Sequence, residues 1–198
     1  IDGDRMTLVD VRIQPGATSG TNRGIQVLNG GEAELRAVEI SLFTQATGGS
    51  YTGLEVTGEQ GTNGSSADLG AGCDIVLSDD NGNMALRGVS VGDGTATMAE
   101  DRVEVEISAG AIVEVEGGSV SSDGLKIASD GDVFALNACV GAEGGPGDGV
   151  DNAGVFNAVS TFIFGDVTGA GTSVFSQCTT ETINGATPIV DTNTAVTP

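Results

Sequence analysis

Residues 24–40, GIQVLNGGEAELRAVEI, decide the fold. Three short apolar pairs sit in this stretch: Ile25 and Val27 around Gln26, Ala33 and Leu35 around Glu34, and Val38 and Ile40 around Glu39. Each pair has the period of two expected of a strand with one face buried. Between Leu35 and Val38 the alternation slips by one residue, and in a period-two chain such a slip marks a corner rather than a continuing strand. The stretch therefore predicts three strands and two turns.

Working outward, the pattern returns. Residues 6–13, MTLVDVRI, repeat its second half, with Leu8, Val11 and Ile13 in the places of Leu35, Val38 and Ile40. Strand anchors at Ile25, Leu54, Ile75, Val105, Leu125, Val155 and Val174 lie 29, 21, 30, 20, 30 and 19 residues apart. The alternating steps predict a two-coil repeat of about 50 residues, and Leu35, Leu86 and Leu136 keep the same beat at the heads of LRAVEI, LRGVSV and LNACVG. Leu8, Leu35, Leu86, Val115, Leu136 and Phe164 are expected to share one inward position, stacked coil on coil. The Gly- and acid-rich loops at 41–53, 92–103 and 141–154 are expected to emerge on one side, while 58–68, GEQGTNGSSAD, reads as an insertion without a counterpart. No amphipathic helix is visible, because strong helix formers are sparse and Gly recurs every few residues. The expected fold class is all-β, a solenoid of three short strands per coil and about seven coils over residues 1–182, with 183–198 as an extended C-terminal cap or linker. An antiparallel β-sandwich and a propeller fragment with blades of about 50 residues are the rival folds.

Composition fits thin stacked layers. The 198 residues include 33 Gly and 6 Phe but only 1 Tyr and no Trp, so Val, Ile, Leu and Ala must build the core. The formal charge is -21, from 28 acidic and 7 basic residues, and such a surface repels nucleic-acid phosphates and anionic lipid headgroups. Neither nucleic acid nor membrane is expected as a partner, and no apolar run reaches transmembrane length. Cys73, Cys139 and Cys178 are too few and too scattered for a disulfide framework, and Cys139 is expected to be a buried small apolar residue at the position of Val38 or Val89. A chain that opens on Ile1 reads as a processed product or an excerpt of something longer.

The three-strand coil with a two-residue corner after its second strand (Arg36-Ala37, Arg87-Gly88, Asn137-Ala138) resembles the right-handed parallel β-helix of the pectin-lyase-like superfamily. That superfamily includes polysaccharide lyases, phage tailspikes and surface adhesins. Many of its members place Asn in the corner, where a left-handed conformation is needed, and here only Asn137 matches. The resemblance spans residues 6 to about 180 and implies a right-handed hand for the solenoid.

The chain has no His, which excludes imidazole as acid, base or metal ligand, and it lacks the Gly-His-Gly motif of the superfamily's polygalacturonan hydrolases. The superfamily's lyases pair calcium-binding carboxylates with an Arg or Lys base. Arg36 and Arg87 share a corner position in the repeat, which points to a structural role. Glu104 and Glu106 flank Val105, and Glu114 and Glu116 flank Val115, so all four are expected to face outward as solvating acids or, on the rival reading, as a hydrolytic pair. Sugar sites use aromatic platforms, and Tyr51 is the sole tyrosine. Candidate calcium loops are 79–83 (DDNGN), 130–132 (DGD) and 144–152 (GGPGDGVDN), although Asp/Asn/Gly turns account for each of them. Thr-x-Thr pairs at 95/97, 180/182 and 192/194 miss the repeat period, which argues against an ice-binding ladder. No residue is assigned as catalytic, cofactor-binding or metal-binding, and no cofactor is expected, calcium being the one candidate.

These observations favour a non-enzymatic, acidic, adhesive rod displayed on a virion surface or otherwise outside the cell, such as part of a phage tail fibre or tailspike. Its expected partners are a host or surface glycan and copies of itself, as a homo-oligomer of the trimeric kind. A polysaccharide lyase or glycoside hydrolase using surface carboxylates is the first alternative, and a secreted bacterial cell-surface adhesin the second.

Overall fold

The computed structural model describes residues 1–15, 19–45, 47–58, 64–94, 102–183, 187–190 and 195–196, with side chains as far as Thr179. Among these residues there is no helix, and every strand pairing is parallel. The strands form one sheet that curls around a narrow core, solenoid-like, so the expectation of an all-β parallel stack is met.

The pairings fall into three ladders. The first runs through the opening halves of β1 (Arg5–Ile13) and β3 (Glu32–Thr44), then β5 (Ser66–Leu69), β8 (Val103–Ser108), β11 (Gly131–Leu136), β14 (Val155–Val159), β16 (Thr172–Ser176) and β18 (Thr187–Val190). The second continues from the closing halves of β1 and β3 into β6 (Asp74–Asp79), β9 (Ile112–Gly117), β12 (Cys139–Glu143), the start of β15 (Phe162–Thr168), β17 (Thr179–Ile183) and β19 (Ala195–Val196). The third joins β2 (Thr21–Val27), β4 (Ser50–Val56), β7 (Ala85–Val91), β10 (Asp123–Ile127), β13 (Asp148–Asn152) and the end of β15.

Register explains the core. Leu8, Leu35, Leu69, Ile107, Ala135, Ala158 and Phe175 stack in the first ladder. Ile13, Ile40, Ile75, Val113, Val140 and Ile163 stack in the second, and Ile25, Leu54, Val89, Leu125, Val150 and Val167 in the third. Most are fully buried, and each contributes about 1.5–3 kcal/mol of transfer free energy if it is as large as Val or Leu. Parallel stacking therefore converts a period-two sequence into columns of one residue type.

The expected match of Leu8, Val11 and Ile13 to Leu35, Val38 and Ile40 is met. The fixed repeat of about 50 residues is not. First-ladder partners Arg5, Glu32, Ser66, Glu104, Asp132, Val155 and Thr172 are separated by 27, 34, 38, 28, 23 and 17 residues, so the rungs lengthen and then shorten. Ile75 consequently stacks on Ile40 rather than Ile25, and Val155 and Val174 occupy outward positions. Of the six residues expected in one inward column, Leu86 pairs with Tyr51, Val115 with Leu77, and Leu136 and Phe164 lie on outer faces. Residues 58–68 do not form a lone insertion: Ser66–Leu69 is an in-register rung, while 59–63 fall outside the described residues. Loops 41–53 and 141–154 both lie between the second and third ladders, whereas 92–103 lies between the third and first, so the three do not share a side; 46 and 95–101 are outside the described residues.

Two backbone devices hold the corners. Asp10, Ala37, Ala109, Asn137, Ser160 and Gln177 all have φ between 50° and 57° where their rungs pass from the first ladder to the second, and Gly72, with φ 72°, turns the rung between β5 and β6. Arg36 and Arg87 do not share that corner, because Arg36 belongs to the first ladder and Arg87 to the third, where it pairs with Thr52 and Asp123. The second device is a column of glycines in the third ladder. A Cβ on Gly24, Gly53 or Gly88 would lie 2.6, 2.7 or 2.5 Å from the carbonyl oxygen of the next glycine in the column, closer than real contacts allow. It would also strike Ile40, Ile75 or Val113 from the second ladder.

These devices make opposite predictions. Gly88→Ala should destabilise the fold by about 3 kcal/mol, since backbone rather than a flexible side chain must yield. Ala109→Gly, at an exposed left-handed corner, should be neutral or stabilising by up to about 1 kcal/mol. Denaturant midpoints of the two variants check both signs.

Candidate functional site

Outward residues of the first ladder build a groove. One row runs Glu32, Ser66, Glu104, Asp132 and Val155, and the row beside it Glu34, Asp68, Glu106, Phe134 and Asn157. Strand alternation places these side chains on one face, and parallel rungs set successive members about 4.8 Å apart. The face encloses a cavity of about 520 Å³, whose lining carries six carboxylates against two guanidinium groups, Arg5 and Arg102.

All seven basic residues of the chain are already engaged, each with an acid one rung further on. Arg5 faces Glu32 at 3.6 Å, Arg12 donates to Glu39 at 2.8 Å, Arg36 to Asp68 at 2.8 Å, and Arg102 to Asp132 at 2.8 Å. Arg23 pairs with Glu55 and Lys126 with Asp151, while Arg87 lies 3.7 Å from Asp123. Hydrogen bonding to Asp68 and Asp132 raises the already high pKa values of Arg36 and Arg102. Exposed pairs of this kind contribute only about 0–1 kcal/mol each, so they fix register more than they add stability. They also occupy the cations that a lyase would need as a base.

A second cluster sits on the third ladder. The carboxylates of Asp123, Asp148 and Asp151 offer oxygens within 4.8 Å of one another. Asp123 is only 5% exposed, and burial, reinforced by Asp151 and Asp148, raises its pKa to about 6 against the opposing influence of Lys126 and Arg87. Asp148 accepts a hydrogen bond from Thr168 Oγ1 at 2.8 Å. The trio has the donor set for a divalent cation, which would have to compete with Lys126 for Asp151.

The other sequence candidates have structural occupations. Asp79 accepts the backbone N–H groups of Asn81, Asn83 and Met84 at 3.2, 2.8 and 2.7 Å, so loop 79–83 is an Asp-centred turn. Asp130 accepts Gly94 N–H at 2.8 Å, and Asp132 is held by Arg102. Glu104 and Glu106 lie in the groove, whereas Glu114 and Glu116 belong to the second ladder, so the two pairs are not brought together. Burial raises the Glu114 pKa, with Glu143 and Glu116 adding to the effect. Loop 144–147 borders a shallow cavity of about 590 Å³ beside Glu143, Asp148 and Asp166. The Thr-x-Thr pairs fall outside the described residues or their described side chains.

Tyr51 is 1% exposed and cannot stack on a sugar, and burial raises its hydroxyl pKa. Cys139 corrects another expectation. It is partly exposed on the outer face between Ile112 and Phe162, and Ala138 takes the buried place. Cys73 and Cys178 are buried, and desolvation raises the Cys73 thiol pKa. Exposed Phe134 and buried Asp123 were the informative residues that sequence reading passed over. Their signal was the five-fold Gly-apolar-x-apolar theme at Gly24, Gly53, Gly88, Gly124 and, with Asn152 closing it, Gly149, which fixes the rungs and hence the outward rows.

No family model, curated protein or solved structure matches the chain.

Asp123 makes the stability depend on pH in an unusual direction. Its folded pKa, about 6, exceeds the unfolded value, so the folded state binds the extra proton between the two and stability rises as pH falls through 6. Asp74 and Glu114, also raised mainly by burial, act in the same direction. Lowering pH from 7.5 to 5 should add about 1.3 kcal/mol through Asp123, an increment lost in Asp123→Asn. Urea unfolding of both proteins at the two pH values measures it.

Proposed function

We propose that the chain is a right-handed parallel β-helix of about seven coils, pectin-lyase-like in architecture, serving as a rigid adhesive rod on an outer surface. A phage tail fibre or tailspike is the best-fitting setting, and a secreted bacterial adhesin the next. The observation that carries this reading is the unbroken in-register stacking of outward rows, with every base engaged in a rung-to-rung ion pair. A wall built in this way is stiff along its axis and presents an acidic face from Glu32 to Asp132, followed by Phe134 and Val155. Its partners on this reading are a surface glycan, bound along the first-ladder groove, and copies of itself, with a trimer as the expected assembly.

The groove supports one rival, a glycoside hydrolase using Glu104 or Glu106 with Asp132, because these carboxylates share one concave face. Incubation with a panel of acidic and neutral glycans separates the two. The rod reading predicts retention of at least one glycan without new reducing ends or unsaturated products. Product release that disappears in Glu104→Gln or Glu106→Gln would overturn it.

A further inference from the structure

We propose that the side chains of Lys126 and Asp151 join in an intramolecular isopeptide bond, a covalent tie between successive rungs of the third ladder, with Asp123 carrying the protons. The bond goes beyond the adhesive-rod reading and does not depend on it.

The reactants are already in place. Lys126 is the only lysine in the chain; the other six bases are arginines, whose guanidinium groups stay charged and are not nucleophiles. Lys126 and Asp151 are register partners on β10 and β13, and Lys126 Nζ donates to Asp151 Oδ2, so the amine is held against the carboxyl group. Both side chains are largely withdrawn from water, Asp151 the more so. A third group stands beside them. Asp123 is buried, accepts no hydrogen bond among the described residues, and offers an oxygen within 4.8 Å of those of Asp151 and Asp148. Its nearest cation, Arg87 Nε at 3.7 Å, is itself buried without a hydrogen-bond partner. Asp123 and Lys126 are three residues apart, as are Asp148 and Asp151, and in a straight strand such positions face opposite ways. Here, with Gly124 and Gly149 between them, they converge on one face. None of the other ion pairs along the rungs combines a primary amine with a neighbouring buried carboxyl.

The reaction is a condensation that starts from the Lys126 ammonium and one proton shared by Asp151 and Asp123. With that proton on Asp151, the Asp123 carboxylate accepts a second from the ammonium, and the freed amine attacks Asp151 Cγ. The C–N bond forms. Asp123 then hands its proton to the Asp151 hydroxyl, which leaves as water when the C–O bond breaks, and takes up the remaining surplus proton of the amine. Amide, water and protonated Asp123 are the products, so atoms and charge balance without an oxidant, a metal or a co-substrate. Burial holds the Asp123 carboxyl at a pKa of about 6, which suits it to accept and return a proton near neutral pH. Condensation is unfavourable between free solutes in water, but well-oriented groups reach effective molarities of about 10⁵–10⁸ M. Replacing two partly buried charges by a neutral amide also removes their desolvation cost. The bond would close a loop between positions 25 residues apart and constrain the unfolded chain as a disulfide does.

Mass spectrometry of the full, denatured chain tests the proposal. The chain should be about 18 Da lighter than its sequence, the mass of one water. A lysine-specific protease, which needs a free ε-amine, should leave the unfolded chain uncut, because Lys126 is its sole site. Peptide mapping should recover a branched peptide joining positions 126 and 151. Lys126→Arg and Asp151→Ala should both show the full mass of their sequences. Asp123→Asn, checked as folded by circular dichroism, should carry the bond in less than about a tenth of its molecules, and Asp123→Glu should restore it in part. The wild-type mass decides the bond whether or not the variants fold. A wild-type chain of full sequence mass that the protease cuts after Lys126 would overturn the proposal, as would a loss of water that maps away from 126 and 151. A bond formed as completely in folded Asp123→Asn as in the wild type would overturn the role given to Asp123.

Discussion

The fold depends on how closely successive rungs approach in the third ladder. Parallel backbone hydrogen bonding fixes the rung spacing, and the narrow core leaves no slack to absorb a side chain at that wall. Gly24, Gly53 and Gly88 meet the constraint by offering no Cβ where the next backbone and the second-ladder Ile40, Ile75 and Val113 converge. With that wall in place the remaining columns follow. Ile25 is set over Leu54, Ile13 over Ile40, and Leu8 over Leu35.

The same register places the charges. An outward position in one rung lies beside its partner in the next, so a base on one rung meets an acid on the following one without a dedicated loop. Arg5 with Glu32, Arg12 with Glu39 and Lys126 with Asp151 are direct register partners. Seven such pairings exhaust the bases and leave most acids uncompensated. Where the surplus is solvated it keeps the surface hydrophilic. At Asp123 burial turns it into a proton affinity.

Much of the architecture was legible because it rests on local alternation. The corner between Leu35 and Val38 is real, and Ala37 adopts the left-handed conformation there. Equivalence of Leu8–Ile13 with Leu35–Ile40 could be read directly, because that rung carries no long insertion. The later register could not, because rung length varies while each rung repeats similar apolar pairs, so Leu86 imitates Leu35 from the third ladder and Leu136 from the outer face of the first. Ser66–Leu69 escaped notice since Ser, Ala and Asp carry little strand signal. The groove was hidden for a related reason: Glu34, Asp68, Glu106 and Phe134 become neighbours only after the register is known.

The central claim is this register, and disulfide trapping tests it most directly. In a Cys139→Ser background, the substitutions Ser108→Cys and Leu136→Cys put thiols at partner positions on adjacent rungs, within the Cα separation that a disulfide spans. Oxidation should link them, and peptide mapping should recover a crosslink between positions 108 and 136 in folded monomer. Failure of that pair to link, together with ready linkage in the variant Glu106→Cys/Lys126→Cys, whose positions the alternating repeat anchored on Val105 and Leu125 would set on adjacent rungs, would contradict the account.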